Sequence, residues 1–74
     1  MDWEPVVSSS IAKLAYCAST QVLGVEFIRS GRYEYLGVSL DAHAALLSAG
    51  SKGRHINQFI KGRYPHRRWR GVAP

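Results

Sequence analysis

The chain has one cysteine, three prolines and, across residues 51–74, no aspartate or glutamate. Cys17, standing alone, excludes a disulfide framework and a cysteine-based zinc site within one chain. No apolar run approaches the roughly 20 residues that a transmembrane helix needs. The opening MDWEPVVSSS lacks the basic and apolar regions of a signal peptide, so a cytoplasmic location without membrane contact is expected. With 74 residues there is room for one domain and too little chain for a deep catalytic cleft. His43, His55 and His66 share no metal-ligand spacing, and none stands at a spacing that argues for a nucleophile–base pair with Cys17. No metal, cofactor or catalytic residue is expected, and the chain is read as a non-enzyme.

What is present is charge, unevenly spread. Residues 1–50 carry three Lys or Arg against five acids, whereas residues 51–74 carry seven Lys or Arg and no acid. Asymmetry of this kind points to a polyanionic partner, although basic tails also serve as solubilising devices.

Hydrophobic patterning gives the order of elements. WEPVVSSS reads as an extended lead-in. IAKLAYC then alternates, with Ala12, Leu14 and Tyr16 on one side and Ile11, Lys13, Ala15 and Cys17 on the other. VLGVEFIR sets Leu23, Val25 and Phe27 against Gly24 and Glu26, and Ser30-Gly31 reverses the chain into RYEYLGV. After Val38 the period changes. Ser39 caps a first helix in which Leu40, Ala44 and Leu47 recur until Gly50, and Ser51 caps a second with an Ile56, Phe59, Ile60 stripe that ends at Gly62 and Pro65. The expected fold is α+β: a three-stranded antiparallel meander packed on one face by two C-terminal helices. Residues 1–64 form the domain in this reading, and residues 65–74 a basic, flexible tail.

The segments PVVSSSIAKLAY, LGVEF, YEY and SAGSKGRHINQFIKGRY together resemble the KTSC domain, a short bacterial module that occurs alone and at the C-terminus of some lysyl-tRNA synthetases. The resemblance covers roughly residues 5–64 and departs from the family pattern at Cys17, Ser39, His55 and Ile56. It implies a small α+β domain for which RNA binding has been suggested from the synthetase association, and it implies no established activity.

Tyr33 and Tyr35, two apart in one strand, share a face. A two-residue turn pairs Arg29 with Arg32, Ile28 with Tyr33, Glu26 with Tyr35 and Val25 with Leu36, which leaves both tyrosines on the open face. A three-residue loop with a glycine bulge shifts the register by one, brings the tyrosines beside Val25 and Phe27, and sets Glu26 against Glu34; that like-charge pair favours the first register. Exposed tyrosines suit base stacking, whereas period-two tyrosines are most often half-buried sheet residues, and Trp3 is placed to cover the open face. The basic residues expected to join them are Lys52, Arg54, Lys61 and Arg63 of the second helix, with Arg67, Arg68, Trp69 and Arg70 of the tail. The Ser51 and Lys52 amides offer a further anion contact, for which capping is the plainer account. Two functions stay open: an RNA or single-stranded nucleic acid binder, and a protein-interaction or self-association module using the aromatic sheet face.

Overall fold

A computed structural model describes residues 2–69. Five antiparallel strands lie in sequence order across one sheet: β1 (Glu4–Pro5), β2 (Ile11–Cys17), β3 (Val22–Phe27), β4 (Gly31–Tyr35) and β5 (His66–Arg68). Between β4 and β5 come α1 (Leu40–Ser48) and α2 (Lys52–His55), the latter continuing into a π-helical turn (Ile56–Ile60). The expected meander is therefore the centre of a wider sheet. The lead-in supplies one edge strand. Residues 66–68, assigned from the sequence to a flexible tail, supply the other. Both are too short to show a period, and they form because the backbone groups of β2 and β4 need partners.

The helix starts follow the sequence. The Ser39 hydroxyl accepts from the Ala42 amide at 3.1 Å and the Ser51 hydroxyl from the Arg54 amide at 3.3 Å. α1 stops one residue before Gly50, at Ala49 in extended conformation. The second helix departs from the expected 3.6 period. An i to i+5 bond from the Lys61 amide to the Ile56 carbonyl, 2.8 Å, widens its last turn. Ile56 and Ile60 stay in the core, but Phe59, the middle of the expected stripe, is half exposed.

The β3–β4 pairing has the three-residue loop and the facing of the second expected register, with the tyrosines on the side of Val25 and Phe27, but slides two residues further along. Three residues, 28–30, separate the paired Phe27 and Gly31, so that Val25 faces Tyr33, Leu23 faces Tyr35 and Glu26 faces Arg32. Gly31, at φ +86°, takes the left-handed conformation that only glycine adopts freely on leaving such a loop. The pairing converts the feared Glu26–Glu34 opposition into a Glu26–Arg32 ion pair, 2.5 Å between Oε1 and Nε. It also turns both tyrosines to the helix side. There Tyr35 is 3% exposed, in a core with Leu14, Leu23, Val25, Val38, Leu46, Ile56 and Ile60. An irregularity in β2 between Ile11 and Lys13 brings Ile11 into the same core, against strict alternation.

Candidate nucleic-acid interface

Each face of the sheet carries rings and cations, by different routes. On the helix side, Tyr33 stands at the centre of an aromatic cluster. Its ring meets Phe27 edge-on at 5.8 Å, and His66, brought opposite Tyr35 by β5, lies 6.2 Å from it and 5.6 Å from Tyr35. The Lys61 ammonium sits 4.7 Å above Phe27, and the Arg68 guanidinium 5.7 Å from the Tyr33 ring. Phe27, Tyr33, Tyr35, Lys61 and His66, with Ser30 and Gly62, line a shallow pocket of about 290 Å³ between the hairpin turn and the end of the π-helical turn, and Arg68 stands beside it against Tyr33. Among the described residues no carboxylate lines it. Burial, with the neighbouring Tyr33 second, raises the Tyr35 phenol above its ordinary value of 10, so it remains a neutral hydroxyl.

The opposite face bears tryptophans in the place expected for tyrosines. Trp3 lies across Gly24, where an added Cβ would stand 2.6 Å from Cη2. Trp69, held by a 2.8 Å bond from its amide to the Arg32 carbonyl, meets Trp3 edge-on at 5.8 Å. The Arg32 guanidinium covers the Trp3 ring at 4.4 Å. Beneath them Glu34, only 8% exposed, accepts from Arg67 Nε at 2.7 Å. Arg32 and Arg67 are thus partnered within the chain, and the two indole rings pack on each other.

The expected site residues divide accordingly. Tyr33, Tyr35 and Lys61 line the pocket, although Tyr35 forms its floor and does not stand on an open face, and Arg68 lies next to it beside the Tyr33 ring. Alternation along β5 sends the neighbouring Arg67 to the other face, into its ion pair beside Trp69. Lys52 folds back to donate to the Ala49 carbonyl at 3.1 Å, while Arg54 is exposed. Arg63 donates to the Gln58 carbonyl and lies 5.9 Å from the Phe59 ring, which in turn meets His55 at a tilt, 4.8 Å between centroids. Arg70 lies outside the described residues. Phe27, Ser30 and His66 were missed as site residues. The signal for Phe27 was its alternation in phase with Val25, which joins Tyr33 once the loop is given three residues.

Among the described residues no cluster of three or more His, Cys, Asp or Glu could hold a metal ion, and no helix is long and apolar enough to cross a membrane. Cys17, hydrogen-bonded to Ser19 at 3.3 Å, has its thiol lowered from 9.0 to about 7 by that bond and a second one to Thr20. No histidine ring stacks on it; His43 stacks on Tyr16 at 4.1 Å instead, and burial lowers its pKa.

Fold and site together define a small α+β domain in which a five-stranded antiparallel sheet carries two helices on one face. The chain belongs to the KTSC domain family, whose profile matches residues 7–64. An uncharacterised protein of Stutzerimonas stutzeri is 43% identical over 63 residues, which are 85% of this chain and 87% of that one. A lysine–tRNA ligase of Nostoc punctiforme is 41% identical over 56 residues, 76% of this chain but only 10% of the ligase. The crystal structure of a KTSC domain protein from Yersinia pestis matches with a TM-score of 0.90 at 38% identity, covering 92% of this chain and 96% of that one. These matches name a domain, and the ligase match covers too little of that enzyme to carry its reaction here.

Proposed function

We propose that the protein is a non-catalytic binding module for RNA or single-stranded nucleic acid, engaged through the helix side of its sheet. The observation that carries this reading is the continuity of rings and positive charge around Tyr33, with Lys61, His66 and Arg68 on one surface and no acid among the pocket's lining residues. Arg54 of α2 and Arg63, three residues beyond the π-helical turn, add exposed positive charge. The likeness to a segment of an enzyme named for tRNA is consistent with an RNA partner.

Fluorescence anisotropy of labelled single-stranded RNA over a salt series tests it. Phosphate neutralisation makes log affinity fall linearly with log salt, by about 0.7 per phosphate for a single strand. Lys61→Ala and Arg68→Ala should each lower the affinity and flatten the slope by about one phosphate. Absence of salt-dependent binding at low ionic strength would remove nucleic acid from the account, and unchanged slopes in both variants would move the contact elsewhere.

A further inference from the structure

We infer that the pocket between the hairpin turn and the end of the π-helical turn receives one unpaired nucleobase of the bound strand, with Lys61 and Arg68 on the adjoining phosphates. This rests on the nucleic acid reading above and narrows it from a charged surface to a one-base site. Size is the first argument. At about 290 Å³ the pocket stands at the lower end of small-molecule sites, which run to roughly 300–1,000 Å³, and it suits a single base better than a dinucleotide.

The lining is the second argument. Phe27, Tyr33, Tyr35 and the His66 imidazole present four rings to one small volume, a surroundings suited to a planar aromatic guest. Ser30 and the two tyrosines add hydroxyls, which both donate and accept and so match the edge of any base. Charge is the third. Lys61 over Phe27 and Arg68 beside Tyr33 stand where rings and cations alternate, so a guest that joins a ring to an anion meets both, whereas a free phosphate meets only the cations and an apolar side chain only the rings. The π-helical turn contributes directly. By ending in the Lys61 amide to Ile56 carbonyl bond it delivers Lys61 to the pocket wall.

The test compares a short oligouridylate with an abasic ribose-phosphate oligomer of equal length and charge, for the wild type and for Ser30→Trp, which fills the pocket mouth from an exposed loop. Circular dichroism melts establish that the variant is folded. The wild type should bind the abasic oligomer about tenfold more weakly than the oligouridylate, with parallel salt slopes, and in Ser30→Trp the two affinities should become equal at the abasic level. Equal wild-type affinity for the two oligomers would overturn the base pocket and leave the charged surface standing. A base preference that survives in Ser30→Trp would overturn it too, by placing the base contact elsewhere. No binding to either oligomer would overturn the nucleic acid reading itself, and the pocket assignment with it.

Discussion

Gly24→Ala is the perturbation whose consequence the structure defines most sharply. Gly24 faces Glu34 on one side and Ala15 on the other, and its missing side chain is the floor on which Trp3 lies. A methyl group there would stand 2.6, 3.1 and 3.2 Å from three atoms of the Trp3 ring. The ring must give way, because Trp3 precedes a strand with only two paired residues while Gly24 sits in the middle of the sheet. Displacing it removes the edge-on contact with Trp69, worth about 0.5–1.5 kcal/mol beyond area, and the Arg32 contact, worth about 0.5–1 kcal/mol at a part-exposed site. Relief of glycine's conformational entropy returns about 0.5–1 kcal/mol. With the ring's own apolar contact added, the net loss is about 1–2 kcal/mol, a fall in Tm of roughly 5–15 °C for a domain of this size. Thermal unfolding followed by circular dichroism reads the stability, and a red shift of tryptophan emission reads the displaced ring. The control is the same substitution in a Trp3→Ala background, where it should become neutral or stabilising. An unchanged Tm with unshifted emission, or an equal loss in both backgrounds, would refute the packing argument.

Arg67→Ala should destabilise more than Glu34→Gln, by about 1 kcal/mol in urea titrations, since it strands a buried carboxylate whereas the reverse change frees an arginine side chain already 64% exposed. Stability should fall as pH drops below the ordinary histidine value of 6.5 and through the lowered value of His43, because the unfolded chain takes the proton first; His43→Phe should flatten that part of the profile. At the alkaline end the sign reverses: the contribution of Tyr35, whose pKa is raised, is complete below pH 10 and is lost as pH rises through the folded-state value, a slope that Tyr35→Phe should remove. Alkylation of Cys17 by iodoacetamide should reach half its maximal rate at about pH 7, and Ser19→Ala should move that midpoint upward. A midpoint near the ordinary 9.0 would show that the turn hydroxyls do not support the thiolate.

Much of the framework is legible in the chain because it depends on neighbours in sequence. Ser39 and Ser51 cap helices by reaching amides three residues on, a local exchange that the sequence displays directly. The three long strands show their alternation, and the family likeness spans most of the chain. The absence of acid after residue 50 is likewise plain, and it marked the seven Lys and Arg residues there together, without separating Lys61 and Arg68 from the rest.

The site itself depended on register, which two competing loop lengths left open. One residue in the turn moves every side chain to the other face. What selected the observed pairing was tertiary: Glu26 finds Arg32, and Val25 and Leu23 find the two tyrosines beneath the helices. The edge strands were invisible for a related reason. β1 and β5 are two and three residues long, without a period of their own, and each exists because a longer strand offers unpaired backbone groups, β2 nearby in sequence for β1 and the distant β4 for β5. By pairing with β4, β5 brings His66 to the pocket, Arg68 beside the Tyr33 ring, and Arg67 and Trp69 to the opposite face. The sequence by itself determined the elements, their caps and the sign of the charge. Only the tertiary structure decided which rings meet which cations, because strand pairing joins residues by backbone hydrogen bonding across the sheet, irrespective of their separation along the chain.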